Sequence, residues 1–222
     1  LTYAQGIRLE NQQFGEEHGL GLNSNGQESV EIIKGPASLL YGSDAMGGVL
    51  YFNPEKYAAN NKTELSVNQV VNSNTQGSNS SVTLKASEEK FKFLMQNNYT
   101  THADYKIPNG ETVVNTRFIE KDFKVGTSFA TSRYVADFRY NYNDLNLGLP
   151  EEEIEDSKYR TPLFPSQKIE NHLLSFNQKV FFKNSKLEAT AGYVFNDRKE
   201  LESAEEIALF MKLKTFNYNV RY

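Results

Sequence analysis

"YVADFRYNY", residues 134–142, sets Tyr134, Ala136, Phe138, Tyr140 and Tyr142 on one face of an extended chain. Asp137, Arg139 and Asn141, with Arg133 just before them, fall on the other. Successive strand side chains point to opposite sides, so a period of two in polarity marks a strand between two unlike environments. One environment accepts aromatic rings and the other accepts charge.

The pattern repeats on both sides of this stretch. "FKFLMQNNY" (91–99) opposes Phe91, Phe93, Met95 and Tyr99 to Lys92, Gln96 and Asn98. "KLEATAGYVF" (186–195) opposes Leu187, Ala189, Ala191, Tyr193 and Phe195 to Lys186, Glu188 and Thr190. "FNYNVRY" (216–222) opposes Phe216, Tyr218, Val220 and Tyr222 to Asn217, Asn219 and Arg221. The alternation predicts about eight strands, near 63–73, 79–88, 90–101, 121–132, 133–145, 171–183, 186–197 and 208–222.

A soluble β-sandwich or β-helix also alternates. Strands of about ten residues, however, exceed the roughly five or six of soluble sheets. The connectors differ in length as well: "SEEK" (87–90), "TSR" (131–133) and "KNSK" (183–186) are tight, whereas the links at 102–120 and 146–170 are long. Short turns on one edge and long loops on the other mark an outer-membrane barrel, with aromatics near strand ends forming interfacial girdles. The 87–90, 131–133 and 183–186 turns are therefore expected on one, periplasmic, edge.

Composition narrows the classes further. The 222 residues give room for one large or two modest domains. With 38% hydrophobic residues, no run approaches the ~18 apolar residues of a membrane-spanning helix. A barrel escapes that test because only alternate residues meet lipid. Thirteen Tyr and fifteen Phe without Trp are a heavy aromatic load for such a wall. A net charge of −4 with no basic stripe argues against nucleic acid as a partner. The absence of Cys excludes disulfides and thiolate metal sites. "LTYAQGIRLENQQ" lacks the apolar core and cleavage site of a signal peptide, and "FNYNVRY" stops in mid-pattern, so the chain reads as cut at both ends.

Residues 1–60 have a different character. "GIRLENQQFGEEHGLGLNSNGQ" (6–27) is rich in Gly, Asn and Gln and reads as loops and short strands. "VEIIKGPASLLYGSDAMGGVLYF" (30–52) then predicts a strand over Val30–Lys34 and a brief helix opened by Pro36 and ended by Gly42. Gly47-Gly48 reverses the chain, and a second strand over Val49–Phe52 stops at Asn53-Pro54.

That segment resembles the end of the plug domain of TonB-dependent outer-membrane receptors, where a similar run leads into the first barrel strand. Glu31, Lys34, Gly35, Pro36, Tyr41, Gly42, Gly47, Gly48 and Val49 fit the family's motif residue by residue. The upstream stretch is similar to plugs of receptors from the Bacteroidetes group. Glycan importers of the SusC kind usually carry a different sequence at this place. "KGPASLLYGSDAMGGVL" is instead similar to receptors for iron chelates, haem, cobalamin and metals.

The resemblance implies a mainly all-β fold: a transmembrane antiparallel β-barrel segment of about eight strands, preceded by part of a small α/β plug domain. It implies plug sequence over 1–60 and barrel over 61–222, the family's barrels having about twenty-two strands. It further implies an outer-membrane location and energy-coupled uptake of a small nutrient such as an iron-siderophore, haem, cobalamin or metal. The implied partners are the TonB complex, acting through the plug's N-terminal part, and outer-membrane lipid with lipopolysaccharide. The other reading of the residues is a non-transporting surface β-protein, an adhesin or binding module, which has no reason to carry the plug motif. A plug inside a barrel turns in little space, which calls for glycine at positive φ and where the backbone passes close to the wall.

Few residues suggest chemistry. "EEHG" brings Glu16, Glu17 and His18 together as a candidate ligand-binding set, but a metal needs several convergent ligands, and no metal site is assigned. His102 and His172 are expected as rim or wall residues. Glu151, Glu152, Glu153, Glu155 and Asp156 form an acidic run in the longest link, suited to solvation or to cations bridging to lipopolysaccharide. Ser38, Ser43 and His18 lack a nucleophile elbow, and neither a P-loop nor a dinucleotide fingerprint is present. No cofactor and no catalysis are expected.

Overall fold

The computed structural model describes residues 1–10, 22, 23, 25–151 and 160–222. Its first part is a small mixed sheet built from β1 (Thr2–Ala4), β2 (Ile7–Leu9), β3 (Gln27–Ile33) and β4 (Val49–Pro54), in the order β2-β1-β4-β3. β1 and β2 form a hairpin whose two turn residues, Gln5 and Gly6, both take positive φ (56° and 83°). Such a turn matches the twist of the flanking strands. β1 runs parallel to β4, and β3 pairs antiparallel with β4. Between β3 and β4 the helical part is two 3₁₀ turns, Gly35–Tyr41 and Ser43–Gly47.

The second part is one antiparallel wall. It contains β5 (Lys62–Asn72), β6 (Gly77–Ser87) and β7 (Phe91–His102), then a small outer ribbon of β8 (Tyr105–Lys106) and β9 (Thr112–Val113). It continues with β10 (Phe118–Ala130), β11 (Tyr134–Gly148), β12 (Ser166–Phe181), β13 (Lys186–Leu201) and β14 (Ile207–Arg221). Each wall strand pairs with the next in the chain, the ribbon excepted. All eight strands read from the alternation are present, several longer than expected. In a meander the connections alternate between edges, so the 87–90, 131–133 and 183–186 turns share one edge. The long links 103–117 and 149–165 share the other, together with two short hairpins at 73–76 and 202–206 that the sequence reading did not single out.

The two wall faces decide what kind of sheet this is. Arg139, Asn141 and Asn143 of β11 are buried, while Phe138 on the opposite face stays 40% exposed. Arg133 lies exposed in the turn before β11 rather than on its inner face. Buried polar side chains outnumber buried apolar ones among the described residues, and Phe176, Tyr193, Phe216 and Tyr218 lie on the exposed side. A soluble sandwich has the reverse arrangement; a barrel wall with a polar interior has this one.

The apolar core is small and sits between the two parts. Ala4, Ile7, Leu9 and Phe52 of the small sheet pack on Leu173 of β12 and Val194 of β13. Gly192 makes that approach possible, since a Cβ there would lie 2.2 Å from Ile7 Cδ1.

Candidate functional site: the plug–wall interface

Backbone conformation shapes the segment 30–52 at its glycines. Gly42 (φ 110°, ψ 170°) closes the first 3₁₀ turn, and its N–H donates to the Leu39 carbonyl at 3.2 Å. Gly48 (φ 101°, ψ 177°) closes the second and donates to the Ala45 carbonyl at 2.9 Å. This region of φ and ψ is essentially closed to residues with a Cβ. Gly35 also has positive φ (71°), with open space around it. Gly47 has neither a positive φ nor a close neighbour, so its conformation makes no demand for glycine. Of these motif glycines only Gly48 is crowded: a Cβ there would meet the Ile33 carbonyl at 3.0 Å.

Other motif residues brace the same segment. Pro36 opens the first turn. The Tyr41 ring meets Tyr3 and Tyr51 at centroid distances of 5.1 and 6.0 Å, and the Tyr3 hydroxyl donates to the Tyr41 carbonyl at 3.1 Å. Burial pushes the Tyr3 and Tyr51 phenols up, keeping both protonated. Glu31 accepts from Asn53 Nδ2 at 2.6 Å, and Lys34 is exposed at the head of the first turn. Arg8 ties the β1–β2 hairpin to the second turn through Asp44 at 3.1 Å. These positions form a scaffold and do not converge on a ligand site. Glu16, Glu17 and His18 lie outside the described residues, as do Glu152, Glu153, Glu155 and Asp156. His102 bridges Thr75 and Asn79, and His172 bridges Tyr140 and Glu170 on the outer face.

The polar interior of the wall meets the small sheet at three places. Near the hairpin, Ser175 Oγ donates to Gln5 Oε1 at 2.8 Å. Farther up, Glu120 accepts from Asn23 Nδ2 at 2.5 Å and from Asn143 Nδ2 at 2.7 Å. Lys124 Nζ donates to the Asn23 and Asn25 carbonyls and contacts Asp122, which accepts from Asn98. At the exit toward β5, Arg139 donates to the Glu55 carbonyl at 2.9 Å, and Lys85 pairs with the Glu55 carboxylate at 2.5 Å. Tyr57 donates to Asp137 at 2.8 Å beneath the Arg139 guanidinium, which lies 4.6 Å from its ring. Burial and the Asp137 carboxylate hold that phenol far above its ordinary value against the pull of Arg139.

A cavity of about 730 Å³ lies beside these contacts, toward the tight-turn edge, and Gln5, Arg8, Tyr41, Arg139, Asn177 and Glu188 help line it. On the opposite edge Asn115 stitches the two long links together. Its side chain donates to the Leu149 and Pro165 carbonyls and accepts from the Leu163 N–H, all within 3.0 Å.

A small sheet seated on the polar face of a long-stranded antiparallel wall is a plugged barrel in part. Residues 1–49 match the TonB-dependent Receptor Plug Domain family. The fold is that of a TonB-dependent receptor. Solved structures of two siderophore receptors and a copper transporter superimpose along most or nearly all of the chain. The siderophore receptor PirA from Acinetobacter baumannii aligns with TM-score 0.73 and 17% identity, covering 99% of this chain and 37% of that one. A mutant of the ferric enterobactin receptor PfeA from Pseudomonas aeruginosa aligns with TM-score 0.68 and 13% identity, covering 99% and 37%. The copper transporter OprC aligns with TM-score 0.55 and 13% identity, covering 86% and 38%. No curated protein matches the sequence. At these identities the likeness carries the fold alone, and the chain spans 37% of the PirA length.

Sequence reasoning placed Asp137, Arg139 and Asn141 on the inner face. It missed Glu120, Lys124 and Ser175 as plug contacts. Their inward register was available from the alternation; the plug atoms they meet, 97 to 170 residues away in the chain, were not.

Proposed function

We propose that the chain is the end of the plug, over residues 1–60, and the first wall strands, over 61–222, of a receptor that imports a scarce nutrient across the outer membrane. The nutrient class is an iron-siderophore, haem, cobalamin or a metal. Transport is driven by the TonB complex acting on the plug. The observation that carries the reading is the plug sheet seated on the wall through polar contacts at Gln5, Asn23, Asn25 and Glu55. Contacts of this kind hold a plug in place at rest and exchange for water when it is pulled, because a hydrogen bond in a wet interior is worth only about 0.5–1.5 kcal/mol net. The large apolar interface of an obligate assembly does not have that property.

The motif "KGPASLLYGSDAMGGVL" supports the iron, haem, cobalamin or metal class over glycans. The siderophore and copper proteins that share the fold support the same class. The test is saturable binding by the full-length receptor to one member of a panel of ferric siderophores, haem, cobalamin and copper, followed by uptake in cells. Uptake that stops when the proton gradient is collapsed fits the proposal. Binding without energy-dependent uptake assigns the protein to the non-transporting class and overturns it.

A further inference from the structure

The sequence sets Asn before Gly at two places, Asn25-Gly26 and Asn109-Gly110. In such a pair the glycine nitrogen can reach the Asn side-chain carbonyl carbon, because no Cβ on the second residue stands in the way. Composition makes the two sites equal. Their surroundings do not.

Asn109-Gly110 lies at the tip of the outer ribbon of β8 and β9, on the long-link edge. The turn is closed by the Gly110 N–H, which donates to the Ile107 carbonyl at 2.9 Å. Pro108 as its first central residue and Gly110 as its last are types that such turns favour. Asn109, Gly110 and Glu111 are exposed, and nothing stands within 4 Å of where a Gly110 Cβ would be. Both ends of the Asn109 amide are tied to Glu111. Oδ1 accepts from the Glu111 backbone N–H at 3.0 Å, and Nδ2 donates to the Glu111 carboxylate at 2.8 Å. The side chain therefore arches over Gly110 and keeps its Cγ near the Gly110 nitrogen. The N–H on Oδ1 also polarises the carbonyl and stabilises the oxyanion that attack on Cγ creates. The ribbon has only two residue pairs, and so short a hairpin opens readily to free the Gly110 N–H.

Asn25-Gly26 is closed in by the wall. The Asn25 carbonyl, which must turn if a ring forms there, accepts from the buried Lys124 ammonium. The Asn25 N–H donates to Asn23 Oδ1 at 2.7 Å, and Gly26 lies against Gln96 Oε1.

We propose that Asn109 is a site of spontaneous modification, converting with time to aspartate and isoaspartate, while the wall keeps Asn25 intact. The Gly110 nitrogen gives up its proton and bonds to Asn109 Cγ. The Cγ–Nδ2 bond breaks, and ammonia leaves with that proton. Water then opens the cyclic imide, at Cγ to give aspartate or at the main-chain carbonyl carbon to give isoaspartate. Either product sets a carboxylate beside Glu111 where a donor stood, so the ribbon loses a tie and gains a repulsion. This chemistry is independent of nutrient uptake.

The test ages the full-length receptor in detergent at mildly alkaline pH. Peptides are then mapped by mass spectrometry with electron-transfer fragmentation, which separates aspartate from isoaspartate. Asn109 is expected to convert about tenfold faster than Asn25 or more, with both products present, and Gly110→Ala to slow it by a similar factor. Hydrogen exchange at Thr112 and Val113, the β9 residues, should rise in the aged receptor. Equal conversion at Asn25 and Asn109 overturns the proposal. So does aspartate without isoaspartate, which marks direct hydrolysis of the side chain. Both readings use the unaltered chain, so they hold even where Gly110→Ala distorts the turn at φ 92°. Unchanged exchange at Thr112 and Val113 after conversion overturns the loosening of the ribbon.

Discussion

Ile7, at the start of the second strand of the plug hairpin, occupies the space that a side chain at Gly192 of β13 would fill; a Cβ there would stand 2.2 Å from Cδ1 and 2.5 Å from Cγ1 of Ile7. The expected place for close plug–wall approach was a glycine of the plug motif, yet the glycine that permits this contact belongs to the wall. A strand without a side chain at one inward position forms a notch, and the Ile7 side chain, just past the hairpin turn, fills it.

Gly192→Val should therefore push the hairpin off the wall and destabilise the plug by about 1–3 kcal/mol, the usual cost of overpacking. Shortening the neighbour should relieve it, so Ile7→Ala in the Gly192→Val background is expected to recover part of the loss. Limited proteolysis of the plug in the assembled full-length receptor reads both. Additive losses in the double variant would contradict the contact.

The plug glycines should differ sharply. Gly48 combines φ 101° with the Ile33 carbonyl 3.0 Å from its missing Cβ, whereas Gly47 has open space. Gly48→Val is expected to reduce assembly, at a cost of about 1–3 kcal/mol of backbone strain. Gly47→Val should assemble close to wild-type level. Heat-modifiable gel mobility compares the two, and equal behaviour would remove the conformational argument.

Phe138 and Arg139 test the two wall faces. Phe138→Arg places a charge on the lipid side, costing roughly 2–4 kcal/mol near the midplane, and should block membrane assembly. Arg139→Gln should leave assembly intact while releasing the Glu55 carbonyl and the Tyr57 ring, so that the chain around residue 57 becomes a protease target. Protection of that segment in the variant would show that Arg139 does not hold it.

The first long link should be acid-resistant. Asp104 is buried with Arg117, accepting from its backbone N–H at 2.9 Å and its Nε at 3.0 Å. Burial alone would raise its pKa, but the Arg117 hydrogen bonds and charge, with backbone N–H donors, win and lower it. A carboxyl whose folded pKa lies below its unfolded value of about 3.9 stabilises fully above that value and loses the contribution as pH falls through the folded pKa. Hydrogen exchange of residues 103–117 should thus stay slow at pH 5 and rise only below the ordinary carboxylate range. Asp104→Asn should raise it already at neutral pH, because it removes the charge that Asp104 sets against the buried Arg117.

Much of the wall was legible in the chain. The alternation in "YVADFRYNY" named the face of Arg139 and Asn141 because a strand's side-chain period is two whatever surrounds it. Unequal connectors gave the edges, since a meander returns every second connection to the same side. Conformational demands written into local residues were also legible, as with Pro36 opening a turn and Gly42 closing it. The second 3₁₀ turn over Ser43–Gly47 carried no comparable signal, as its small and polar residues suit several local conformations.

Which residues meet was decided only in three dimensions. Lys168 and Lys199 are opposed because β12 and β13 pair in one register, and a shift of one residue would turn every side chain to the other face. Ser175 finds Gln5, and Lys124 finds the Asn23 and Asn25 carbonyls, across long stretches of chain. Periodicity is local, repeating every two residues along one strand, so the sequence by itself determined the strands, their faces and their order of connection. Pairing between the plug and the wall depends on how two separately folded surfaces approach, and that geometry, set by the notch at Gly192 and the packing of Ile7 into it, exists only in the tertiary structure.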